Sequence, residues 1–187
     1  MFLIAGIRFP APMLEFFQQI QTFFPNREWE PEPFLFLPLV IVGETSDPDV
    51  MENLDAGLLS IQTPTPATLV HSGLDVVQQG ERIILTAKIL SAVCDHLSVK
   101  IRRQAQHAGL KVKRTCHPLS VPLATISTVP PEDVHNWLRI HHSLRAPEAE
   151  VYEFTLFSSW KNRETTDMEL LADYAFTPSC IAPASLL

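Results

Sequence analysis

The chain has 187 residues, 46% hydrophobic and 19% charged, with 14 Lys+Arg against 21 Asp+Glu and a formal net charge of −7. That supports one medium domain or two small lobes with a real core, excludes intrinsic disorder, and runs against a general nucleic-acid coat protein, which needs clustered cations. No apolar run approaches the roughly 20 residues that span a bilayer, and three Cys without a C-x-x-C pair fit a reducing, cytoplasmic setting rather than a disulfide framework or zinc ribbon.

Residues 2–8 form a short apolar run, read as a strand because they are too few for a secretory h-region. Pro10 and Pro12 sit where helix starts tolerate proline, and a helix follows through Phe23. The proline-rich polar stretch 25–33 reads as a loop, and 34–42, ended by Gly43, as a mostly buried strand. Ser46, Asp47 and Pro48 open a helix to about Ile61, and 63–66 is a linker. Two strands, 67–77 and 82–86, turn around Gly80. Ile89, Val93, Leu97, Ile101 and Ala105 repeat every four residues up to a stop at Gly109, the pattern of a long helix. A strand over 114–127 precedes a helix opened by Pro130 and Pro131, with Val134, Trp137, Leu138 and Leu144 on or near one face. Strands over 151–159 and 168–176 close the order β-α-β-α-β-β-α-β-α-β-β, and 179–187 is a loose tail. Two directly consecutive strand pairs exclude a doubly wound sheet. The order suits an α+β fold in which duplicated β-α-β units, on antiparallel sheets, face each other across a central groove within one two-lobed domain, 1–178.

A short internal repeat points the same way. Phe36-Leu37-Pro38-Leu39 and Ser120-Val121-Pro122-Leu123 both read x-aliphatic-Pro-Leu in a strand and precede a helix start. Alternate strand residues share a face, so 36 and 38 point one way, opposite 120 and 122 if the copies face each other.

With these elements placed, the whole chain resembles the 2H phosphoesterases, the family of the bacterial RNA 2′,3′-cyclic phosphodiesterases or 2′-5′ RNA ligase-like proteins. FLIAGIRFPAPMLEFF is similar to the family's first strand and helix, FLFLPLVIVGE to its L-H-L-T-L strand, CHPLSVPLATI to its P-H-x-T-L strand, and the closing strands, with Ser158-Ser159, to its last pair. The family signature is two His-x-Thr/Ser motifs, and here the chain departs. Anchored at Gly43-Glu44, the first motif falls on Phe36 and Pro38. The second falls on Ser120 and Pro122 when anchored on Leu123-Ala124, or on Leu119 and Val121 when anchored on His117-Pro118. The Arg that follows the second motif falls on Thr125 in the first register.

The family's reaction opens a cyclic phosphodiester: one imidazole deprotonates water, the other protonates the leaving oxygen, and hydroxyls and cations hold the phosphoryl oxygens. Phe36 cannot titrate or donate, and Pro38 and Pro122 lack both a hydroxyl and a backbone N–H. Ser120 alone keeps a hydroxyl. Each general acid or base contributes about 10²–10⁴-fold, so losing both removes nearly all of the rate. The favoured reading is a catalytically degenerate member with no catalytic residues, whose groove at Phe36, Pro38, Ser120 and Pro122 binds a small molecule, nucleotide or protein. The alternative is a live phosphodiesterase in which His117 and Ser120 supply the chemistry, although the three-residue separation puts His117 on the opposite strand face. A third reading is a binder of a small apolar ligand or peptide, with Phe36 and the prolines as floor.

The remaining clusters read as structure. His135, His141 and His142 lack the i, i+4 spacing of a zinc helix, so no metal or cofactor is expected. His71, His96 and His107 read as surface, Glu28, Glu30 and Glu32 as solvent-facing, and Phe16, Phe17, Phe23 and Phe24 as core. The basic run Lys111, Lys113 and Arg114, with Lys100, Arg102 and Arg103 before it, could hold an RNA backbone. The net charge weighs against that, and a solvated helix end is the plainer reading.

Overall fold

The computed structural model describes residues 1–63, 65–80, 82–112, 119–161 and 166–176. In chain order these form β1 (Phe2–Arg8), α1 (Ala11–Thr22), β2 (Trp29–Pro31), β3 (Phe36–Glu44), α2 (Pro48–Leu59), β4 (Ala67–Gln79), β5 (Arg82–Leu90), α3 (Ala92–His107), β6 (Ser120–Ile126), α4 (Pro131–His141), β7 (Ala149–Val151), β8 (Glu153–Lys161) and β9 (Thr166–Ala175). Proline opens α1, α2 and α4, where a missing N–H costs nothing. Asp47 caps α2 by accepting from the Asp49 N–H, and Ser91 caps α3 by accepting from the Cys94 N–H. Gly109, at φ +92°, turns the chain beyond α3 in a conformation that other residues resist.

The strands form two antiparallel sheets, ordered β3-β1-β8-β9 and β2-β6-β5-β4-β7. Helices α2 and α3 cover one face of the first sheet, joined by the Tyr174 hydroxyl, which donates to Asp55 Oδ1 at 2.7 Å. Helices α1 and α4 cover the second, with the Trp29 and Trp137 rings 5.1 Å apart. β3 and β6 lie against each other where the sheets meet.

The architecture is the expected α+β pair of antiparallel sheets, with corrections in detail. The stretch 25–33 contains β2, which pairs with β6 because Trp29 is buried between Phe24 and Trp137. β7, equally short, pairs with the start of β4. β5 runs on to Leu90 and α3 begins only after the Ser91 cap, so Ile89 belongs to the strand although it fits the helical repeat. Leu144 falls beyond α4. Phe23 is 41% exposed and stacks on His141, which in turn stacks on Trp137. Glu32 is half-buried, and burial pushes its carboxyl above the usual range. Cys94 is buried, its thiol pushed up to about 11 by loss of solvation. Cys116, Cys180, Lys113, Arg114 and the tail 179–187 lie outside the described residues.

The surface reading of His71 is overturned. It is 3% exposed on β4, between the rings of Phe16 and Phe17 at 5.5 and 5.6 Å. Its Nδ1 accepts from the Ala146 N–H at 3.2 Å, which places the ring proton on Nε2. Burial, then the charge of Arg145, hold this imidazole below its ordinary range, partly offset by a hydrogen bond with the Gly73 backbone. The unfolded chain therefore takes up the proton first. The contribution of His71 to stability is intact above about pH 6.5 and is lost as the pH falls below it. Thermal melts between about pH 7.5 and 5 should show a loss that His71→Gln, which keeps the acceptor, reduces. An unchanged slope would contradict this assignment.

Candidate functional site

The groove face is dictated by what the two middle strands bury. In β3, Leu37, Leu39, Val40 and Val42 are buried while Phe36, Pro38 and Ile41 are half-buried. In β6, Val121, Leu123, Ala124 and Ile126 are buried while Ser120, Pro122 and Thr125 are half-buried. The two patterns are identical position by position. The pairings match as well. Against β1, Ala5 faces Val40 and Gly6 faces Pro38, skipping Leu39. Against β5, Leu85 faces Ala124 and Thr86 faces Pro122, skipping Leu123. Each proline thus sits beside a bulge, where its missing N–H is tolerated. The Leu123 carbonyl, on the β2 side of β6, accepts from the Glu32 N–H at 2.9 Å and from Gln21 Nε2 at 3.0 Å. The short repeat read from sequence is therefore a structural duplication, and it puts Phe36 with Pro38, and Ser120 with Pro122, at equivalent points.

The duplication also pairs two cations. Arg8 is the cross-strand partner of Phe36, and Lys88 is the cross-strand partner of Ser120. Both are already occupied. Arg8 Nη2 donates to Glu153 Oε1 at 2.7 Å and to Asp173 Oδ2 at 2.9 Å. Lys88 Nζ lies 2.6 Å from Asp75 Oδ2, and this hydrogen bond holds the Asp75 carboxyl below the usual range. Asp173 also accepts from the Thr155 hydroxyl at 2.6 Å. The Arg8 pairs could not be read from sequence, since Arg8 and its acids stand 145 and 165 residues apart.

Phe36 is seated rather than merely present. A Cβ on Gly6 would lie 2.7 Å from its ring and 2.7 Å from the Leu37 carbonyl oxygen, so only glycine leaves room there. The Phe36 ring packs on Phe157 at 4.8 Å. Among the described residues no histidine lies on this face: His71 points into the core, and the others sit on α3, on α4 or just after it. His117 lies outside the described residues. No cluster of three or more metal-binding side chains occurs among the described residues, and none of their helices is long and apolar enough to cross a membrane.

Gly6→Ala is expected to cost on the order of 1–3 kcal/mol. Phe36→Ala should recover only the ring's share, because the Leu37 carbonyl also stands in the way. Urea unfolding of the two single variants and the double variant measures this coupling, and no coupling would mean that the ring does not rest on Gly6.

No protein-family profile and no curated protein matches the sequence. Solved structures do. Apo LigT of E. coli matches with a TM-score of 0.70 at 20% identity, over 94% of this chain and 97% of that one. The protein TT0787 of Thermus thermophilus matches with a TM-score of 0.72 at 18% identity, over 94% and 98%. A structure described as a phosphoesterase matches with a TM-score of 0.69 at 23% identity, over 94% and 98%. Over nearly its whole length, the chain has the fold of LigT, of TT0787 and of the structure described as a phosphoesterase.

Proposed function

We propose that the chain is a catalytically degenerate 2H phosphoesterase-like protein, a binding module that uses the former active-site groove. One observation carries the reading: the two duplicated strands present Phe36, Pro38, Ser120 and Pro122, and the cation beside each first position is neutralised by carboxylates. A phosphodiester entering this groove finds one serine hydroxyl and no imidazole among the described residues. The positive charge beside each first position is shared with Asp75, or with Glu153 and Asp173. Placing an unpaired anion against phenylalanine and proline costs several kcal/mol, by the usual order of magnitude. Ser120 without a base near neutrality is a poor proton carrier.

The fold shared with phosphoesterases favours one rival, a 2′,3′-cyclic phosphodiesterase with His117 and Ser120 in the catalytic roles. One experiment separates the two. Incubating excess purified protein with an oligoribonucleotide ending in a 2′,3′-cyclic phosphate should yield no product above the uncatalysed rate. Product that disappears in His117→Ala would refute the degenerate reading and establish the rival.

A further inference from the structure

Outside the proline strip, at the end of the groove where Phe36 lies, a cavity of about 740 Å³ opens between the first sheet, α1 and the chain before β3. That is ample for a small organic molecule. Five aromatic side chains line it, Phe9, Phe34, Phe36, Tyr152 and Phe157, together with Met168 and Leu170. Phe34, Tyr152 and Leu170 are 40%, 60% and 43% exposed, so three large apolar side chains that folding leaves in water converge on one hollow.

Its charge is lopsided. Among the described residues Arg8 is the one cation in the lining, and Glu153 and Asp173 already hold it. Glu150 accepts a hydrogen bond from the Tyr152 hydroxyl at 2.8 Å and has no basic partner among the described residues. The cavity thus combines aromatic faces, whose quadrupoles attract cations, with an excess of carboxylate over available positive charge. We propose that it is a binding site for a small organic cation with an apolar or aromatic body, the body lying on Phe36 and Phe157 and the charged head lying among Phe34, Tyr152 and Glu150. This deepens the degenerate reading, since a groove that still held phosphate would favour the opposite charge.

Three probes of similar shape test the site: phenylpropyltrimethylammonium, phenylbutanol and phenylbutyrate. Binding is followed by NMR through the Met168 methyl signal, assigned with Met168→Leu. The ammonium should bind saturably and tightest, the alcohol more weakly and the carboxylate weakest. Phe34→Ala and Glu150→Gln, both at exposed positions, should each weaken the ammonium by about five- to tenfold, with thermal melts confirming the fold. Carboxylate binding as tight as the ammonium, or ammonium binding unchanged in both variants, overturns the proposal. The cyclic-phosphate assay on the same preparation is read separately: turnover defeats the degenerate reading, whereas a silent Met168 signal defeats this site alone.

Discussion

The groove's character follows from the demand that β3 and β6 bury their aliphatic residues against the helices. Leu37, Leu39, Val40 and Val42 in one strand, and Val121, Leu123, Ala124 and Ile126 in the other, leave no freedom over which way positions 36, 38, 120 and 122 face. A slip of one residue would turn each strand's core into the groove. The bulges at Leu39 and Leu123 hold that register while admitting a proline beside each. Among the described residues, the groove's chemistry is that of Phe36, Pro38, Ser120 and Pro122 and of their cross-strand neighbours.

Those neighbours bear on the proposed binding role. Arg8 and Lys88 stand at equivalent places in the duplicated halves, and each is paired with carboxylates of its own sheet. Phe36, accommodated by Gly6 and packed on Phe157, extends the neutral surface into an aromatic hollow at the groove's end. An uncharged floor, paired cations and an acidic aromatic mouth all agree with the binding module proposed above.

Much of the frame was legible in the chain because its signals are local. Prolines at helix starts, Gly109 after α3 and the repeated x-aliphatic-Pro-Leu all act within a few residues. What escaped depends on distant partners. The three-residue strands β2 and β7 exist because Trp29 and Val151 are buried by other elements. His71 is buried because α1 lays Phe16 and Phe17 against it. The hollow is assembled from segments around residues 8, 34, 152 and 170, which no periodicity connects.

The central claim is that carboxylates on the same sheets keep phosphate out of the groove. It is tested most directly by titrating inorganic phosphate into ¹⁵N-labelled protein, alongside a variant carrying Asp75→Asn, Glu153→Gln and Asp173→Asn. The account predicts no saturable shift near Ser120 or Phe36 in the wild-type protein, and binding that emerges in the variant once Arg8 and Lys88 are released. Saturable phosphate binding at these residues in the wild-type protein would contradict it.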